Sequence, residues 1–240
     1  MAGHSKWANI KHRKGKADAL KGKLFSRATK EIISAVKQGG PDPKSNAKLK
    51  LAIQKAKEVN LPLENIERNI KKASSADQAD FTSMLYEFYG FGGVGILVDV
   101  MSDNKNRAAS EMRIATNKKG GTIAAPGSVA YNFDKKGVIT LAVEPNLDED
   151  ALFLLVTDHG AEDFQKHGDL YVITTATHDL MSVKEALESL GFKTSSSEFE
   201  YIPKLSVACT PEEASSNLEL IEYLEGLDDV DAVFHNMQES

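Results

Sequence analysis

A single cysteine, Cys209, stands in a chain of 240 residues. No internal disulfide can form, which excludes a disulfide scaffold and fits a reducing compartment. Aromatics make up only 7%, with one tryptophan, Trp7. No apolar run approaches the ~20 residues that would span a bilayer. The opening MAGHSKWANIKHRK has no apolar core of a secretory signal. It is basic and poor in acids, as a mitochondrial address would be, but Trp7, Ile10 and Leu20 form no strong amphipathic stripe. The expected location is therefore the cytoplasm, with no membrane partner.

Charge is abundant but segregated. Residues 1–75 hold 18 Lys/Arg against 6 Asp/Glu, net +12, and residues 76–240 hold 11 against 29, net −18. The overall −6 hides this contrast. Ten of the basic residues fall between Lys6 and Lys37. A basic arm and helix on an otherwise acidic protein read first as a handle for polyanions, most often nucleic acid. The acidic remainder could meet basic proteins.

The length suggests two or three domains. Residues 1 to about 16 read as an arm, and a helix follows with Leu24, Ala28, Ile32 and Ala35/Val36 on one face. Gly39-Gly40-Pro41 ends it. Ser45 or Asn46 is placed to cap a second helix, whose apolar set is Leu49, Ala52, Ile53, Ala56 and Val59. Leu61-Pro62 opens a third, with Leu63, Ile66, Ile70 and Ala73 as its stripe. These three make a small bundle over residues 1–78, and the charge changes sign at the linker Ser74–Gln78.

Beyond it, Met84–Tyr89 and Gly95–Met101 read as strands, Lys105–Lys118 as a helix capped by Asp103 or Asn104, and Val129–Phe133 as a strand. Residues 136–204 then read β-α-β-β-α-β, the ferredoxin-like unit. Leu205–Thr210, Pro211–Leu224 and Val230–His235 read as strand, helix and strand. Joined to Gly95–Phe133 they would complete a second such unit. The expected fold class is thus α+β: a three-helix bundle and two ferredoxin-like domains, with 136–204 inserted into a discontinuous domain of 79–135 and 205–240. One continuous mixed sheet is the alternative.

The candidate nucleic-acid residues are Lys6, Trp7, Lys11, His12, Arg13, Lys14, Lys16, Lys21, Lys23, Arg27, Lys30 and Lys37. The cations would neutralise phosphates with release of counterions. Trp7 would either stack on an unpaired base or plug the bundle. Lys23, Arg27, Lys30 and Lys37 share one helix face and would extend the patch onto a rigid element. Asn9, His12, Arg13 and Gln38 could read bases, but nothing marks a recognition helix, which favours backbone recognition.

Other motifs fail on context. Gly90–Gly95 satisfies G-x-G-x-x-G, yet a strand follows where a dinucleotide fingerprint needs a helix. Lys118-Lys119-Gly120-Gly121 reads as a helix end. The paired acids Asp148–Asp150 and Glu212-Glu213 open helices, where the dipole stabilises them. No nucleophile stands beside a base, no catalytic residue is assigned, and no cofactor is expected. The histidines show no metal spacing. With Met1 removed, Ala2, Gly3 and His4 could wrap Cu(II) or Ni(II) in a square plane.

Four stretches carry a family resemblance: MAGHSKWANIKHRKGKADALKGKLFS at 1–26, GGPDPKSNAKLKLAIQKAKEVNLPLENIERNIKKA at 39–73, YEFYGFGGVGILVDVMSDNKNR at 86–107 and GSVAYNFDKKGVI at 127–139. The chain resembles the YebC/PmpR family over essentially its full length. That resemblance implies a helical N-terminal domain followed by two α/β domains, no cofactor and no enzymatic step. It places the nucleic-acid face at Lys6–Lys37 and gives no role to Asp103–Arg107. Bacterial members are described as probable DNA-binding transcriptional regulators. A mitochondrial relative, the translational activator of cytochrome c oxidase, is described as acting on ribosomes. The two leading functions are therefore a DNA-binding regulator and a translation factor on ribosomal RNA. A small-molecule sensor is a weaker third, by fold analogy alone.

Overall fold

The computed structural model describes residues 17–75, 80–144 and 148–238, with side chains from residue 22 onward. The chain divides into two compact units. One runs to Ala130 and resumes at Ser206, and the other is Tyr131–Leu205.

The first unit begins with three helices, α1 (Ala17–Gly39), α2 (Ala47–Glu58) and α3 (Leu63–Ala73). Their shared core is Ile32, Ile33, Val36, Leu49, Ala56 and Ile66, with Leu61. Leu63, expected in the buried stripe, is 59% exposed, and Leu61, two residues earlier and before the helix, fills the core at 6%. The α1–α2 corner is fixed by Asn46, which is buried. Its Oδ1 accepts from Leu49 N at 3.0 Å, and its Nδ2 donates to Ala35 O and Gly40 O, each at 2.8 Å. A Cβ on Gly39 would collide with that amide at 2.7 Å, so the glycine admits the cap.

The same unit holds a four-stranded antiparallel sheet: β1 (Thr82–Tyr89), β2 (Gly95–Ser102), β3 (Thr122–Ile123) and β8 (Val230–His235), ordered β3-β1-β2-β8. Helices α4 (Lys105–Lys119) and α7 (Pro211–Gly226) cover one face. The core joins Ile96, Val98 and Val100 to Ala108, Met112, Leu220 and Leu224. This is not the second βαββαβ expected from 95–133 and 205–235. Val129–Asn132 is not a strand, because Ala130–Asn132 makes a 3-10 turn, and Phe133 opens a strand of the second unit. Leu205–Thr210 contributes only an isolated parallel bridge, Val207 to Met237. The chain there turns into α7, whose N-cap Thr210 and Glu213 form a reciprocal capping box. Strand β1 supplies the missing partner of β2.

The second unit is β4 (Phe133–Ala142), α5 (Glu149–Asp158), β5 (Ala161–His167), β6 (Leu170–Thr175), α6 (Leu180–Ser189) and β7 (Thr194–Pro203). Its sheet is ordered β5-β6-β4-β7, all antiparallel. Its own core contains Ile139, Leu152, Val156, Ile173, Val183 and Leu187. The unit begins at Tyr131 rather than Lys136. Phe133, Asp134 and Lys135 pair with Pro203, Ile202 and Tyr201, although their charged sequence hides the strand. The Lys135 ammonium lies 5.4 Å from the Tyr201 ring, where a cation suits an aromatic face.

Candidate nucleic-acid interface

Helix α1 carries the cationic face, and the structure turns that face inward. Lys23, Arg27 and Lys30 recur at steps of four and three, so they line one side. That side meets the end of α7, the start of β8 and the end of β2. Lys23 Nζ donates to Glu225 O and to Leu227 O, the latter at 2.7 Å. These carbonyls close α7, where the helix dipole is negative. Burial holds the Lys23 ammonium below its ordinary value, against the attraction of Asp228 and Glu225. Arg27 Nε pairs with Glu31 at 3.2 Å and lies 3.9 Å from Asp231.

Lys30 is 8% exposed and donates three times: to Met101 O at 2.9 Å, Asp228 O at 3.1 Å and Asp229 Oδ1 at 3.3 Å. Asp229 is a hub. Its Oδ2 accepts from Ser102 Oγ at 2.7 Å and from Arg107 Nη2 at 2.7 Å. Burial pushes its carboxyl up, but the hydrogen bonds from Ser102, Arg107 and Lys30 outweigh it and hold it below its usual value. Asp231, two residues on, shows the reverse. Desolvation lifts it to about 6 despite Arg27 and Lys30. Glu111 on α4 is pushed up by burial and by the Asp229 charge, and its Oε2 has no hydrogen-bond partner among the described residues.

The expected stripe is engaged within the unit. Lys23, Arg27 and Lys30 are not free phosphate binders in this structure, because α1 uses them to hold the helices to the α/β part of the unit. Lys37 points elsewhere and donates to Ser75 O at 3.0 Å. Lys6, Trp7, Lys11, His12, Arg13, Lys14 and Lys16 lie outside the described residues, as do the Lys21 side chain and the Ala2, Gly3 and His4 chelate. Exposed cations remain on the other two helices: Lys44, Lys50 and Lys57 before and along α2, and Arg68, Lys71 and Lys72 on α3.

The segment Asp103–Arg107 gains a role. Asn104 Oδ1 accepts from Asn106 N and Arg107 N and caps α4. Arg107 bridges Asp103 and Asp229, both at 2.7 Å. Periodicity could not have shown this, because Asp229 lies 122 residues away.

The Gly90–Gly95 loop holds no phosphate cradle. Asn217 on α7 is fully buried and takes the place of a paired strand. Its Oδ1 accepts from Phe91 N at 2.8 Å and its Nδ2 donates to Phe91 O at 3.0 Å. A side chain at Gly90 would strike Asn217. A second backbone nest is filled by the protein itself. Burial raises the Glu87 carboxyl, but the N–H groups of Gly127, Ala130 and Val129 more than offset this and hold it below its usual value. Val129 N and Ala130 N lie 2.7 and 2.8 Å from Oε2. Of the paired acids, Asp148 caps α5, and Glu213 Oε2 accepts from Thr210 N in the capping box of α7. Among the described residues no group of His, Cys, Asp and Glu could hold a metal. A cavity of about 180 Å³ lined by Glu31, Ser34, Gln38, Lys48, Leu51 and Met101 is smaller than the ~300 Å³ of an ordinary small-molecule site. No described helix is long and apolar enough to cross a membrane.

Fold and site together define a multidomain α+β protein whose basic helical part is anchored by its own cations to an acidic α/β part. Residues 5–76 match the TACO1/YebC protein N-terminal domain, and residues 81–237 match the TACO1/YebC second and third domain. The chain belongs to the TACO1/YebC family. A probable transcriptional regulatory protein of Protochlamydia amoebophila is 61% identical over 238 residues, covering 99% of this chain and 97% of the relative. One from Chlamydia muridarum is 56% identical over 99% of this chain and 100% of its own length. The crystal structure of a conserved hypothetical protein from Aquifex aeolicus superposes with a TM-score of 0.84 at 40% identity, covering 98% of this chain and 97% of that one.

Proposed function

We propose that this protein is a non-enzymatic, nucleic-acid-binding regulator of gene expression, and specifically a DNA-binding transcriptional regulator. The observation that carries this reading is the segregation of charge: 18 basic against 6 acidic residues in the first 75, on an otherwise acidic chain. The names of relatives 54–61% identical, probable transcriptional regulatory proteins, support it. The contact surface is the arm (Lys6, Lys11, Arg13, Lys14, Lys16 and Lys21, with Trp7 and His12) together with the outward cations of α2 and α3. Contact is to the phosphate backbone, which positions but does not specify.

The working parts are residues 1–78, the α/β remainder of the first unit up to Ala130 and from Ser206, and Tyr131–Leu205. The strand order β5-β6-β4-β7 supports a ferredoxin-like reading of the last part. The place of action is the cytoplasm, and the acidic domains are the surface for basic protein partners.

Ribosomal RNA is the second reading. What favours it is that the regular cationic stripe of α1 is engaged internally, which leaves no described helix with the pattern of a base reader. Crosslinking in cells followed by sequencing of the bound nucleic acid separates the two. Discrete promoter DNA is expected for a transcriptional regulator. Recovery of one ribosomal RNA neighbourhood would replace that reading with a translation factor.

The surface itself is tested by salt titration. Reversal of Lys11, Arg13 and Lys14 to Glu removes three cations. The slope of log K against log salt on duplex DNA should then flatten by about 2.7, at about 0.9 per phosphate. An unchanged slope would remove the arm from the interface.

A further inference from the structure

The contact between α1 and the segment Glu225–Asp231 is an ionic one. That segment offers two backbone carbonyls to Lys23, a backbone carbonyl and the Asp229 carboxylate to Lys30, and the Asp231 carboxylate to Arg27. It is a run of negatively polarised oxygens laid along one helix face. Seven residues separate Lys23 from Lys30, a span of about 10 Å on a helix. Duplex DNA presents one negative charge per about 1.7 Å of its axis. The three cations could therefore serve several phosphates equally well.

The contact also carries electrostatic cost. Asp231 is desolvated beyond what Arg27 and Lys30 offset, Lys23 is depressed by burial, and Glu111 keeps an unpartnered carboxylate oxygen among the described residues. An apolar contact of the same size would avoid these penalties. Charges suit a contact that is exchanged for another one.

We propose that Glu225–Asp231 is an internal stand-in for nucleic-acid phosphates, and that nucleic acid competes with it for Lys23, Arg27 and Lys30. The inference rests on the reading that the protein binds nucleic acid. It adds that part of the basic surface is masked by the protein's own acidic segment until nucleic acid displaces it.

The test uses the full chain and a mixed-sequence DNA duplex. Glu225→Gln with Asp228→Asn removes two charges that attract Lys23 and leaves the Asp229 hub intact, so the fold is retained. The double variant should bind about tenfold more tightly, since a larger fraction is competent. Its salt slope should steepen by about 0.9 for each cation released, Lys23 first. Glu144→Gln with Asp150→Asn, both exposed in the second unit, makes the same change in net charge and should leave the slope alone. In the unaltered protein, saturating duplex should speed hydrogen exchange of amides 225–233. Equal slopes for both double variants and the parent, with exchange in 225–233 unmoved by duplex, would overturn the competition while binding itself persists. If parent, arm-reversed and neutralised variants all fail to bind duplex DNA and ribosomal RNA, the nucleic-acid reading falls, and the competition falls with it.

Discussion

Asp229 and Asp231 lie two residues apart at the entry to β8, and their carboxyls shift in opposite directions. Asp229 has three donor groups directed at it, so its folded value lies below the unfolded one. Its stabilisation is present above an unfolded value of about 4 and is lost as pH falls through the folded value. Asp231, 3.9 Å from Arg27, is raised to about 6. The folded state then holds the extra proton between about 4 and 6, so stability drops as pH rises through that window. Asp231→Asn should therefore gain on the parent between pH 4 and 7, by about 2–3 kcal/mol for a shift near two units. Urea unfolding at each pH reads this, and a flat difference would refute it. Asp229→Ala should cost about 3–5 kcal/mol at neutral pH, because Lys30 and Arg107 lose their shared partner. Glu87 resembles Asp229 in sign: its contribution is present above about pH 4 and is lost on acidification.

Asn46 and Asn217 each do the work of a short piece of backbone. Asn46 ties the end of α1 to the start of α2, and Asn217 ties α7 to the loop between β1 and β2. Removing either amide leaves backbone groups without partners. Asn217→Ala should destabilise by about 2–3 kcal/mol, since it exposes two orphaned groups in a buried site. Thermal unfolding measures the loss, and faster hydrogen exchange at Phe91 locates it. Asn46→Ala should cost about 1–2 kcal/mol as a lost cap. The cap was legible in the sequence, because an Asn three residues before a periodic apolar run is a local signal. The Asn217 clamp was not, since its partner lies 126 residues away. The strand at Phe133–Lys136 was hidden for a related reason. Its charged residues alternate weakly, and only pairing with β7 makes it a strand.

At the scale of the whole molecule, the two units are separable in their cores. The clusters of the first contain no residue from 131–205, and the cluster of the second contains none from outside it. The ends of the second unit are adjacent, since Lys204 N donates to Asn132 O at 2.8 Å. A short Gly-Ser connector in place of 131–205 should therefore leave a chain that unfolds cooperatively with its helical signal retained. Loss of a cooperative transition by circular dichroism would show that the first unit needs the second.

The sequence by itself determined most of the helices, narrowed two caps to Ser45 or Asn46 and to Asp103 or Asn104, and showed the contrast between a basic first third and an acidic remainder. Those properties depend on neighbours within a turn or two, or on composition alone. Only the tertiary structure decided where the cations of α1 point. Lys23, Arg27 and Lys30 at steps of four and three look the same whether they face water or a carboxylate. Lys30 finds its carboxylate 199 residues away. Only the tertiary structure, too, set the order β3-β1-β2-β8 in place of a second βαββαβ. Strand pairing is fixed by which hydrophobic faces can be buried together, and that is a property of the folded chain rather than of any stretch within it.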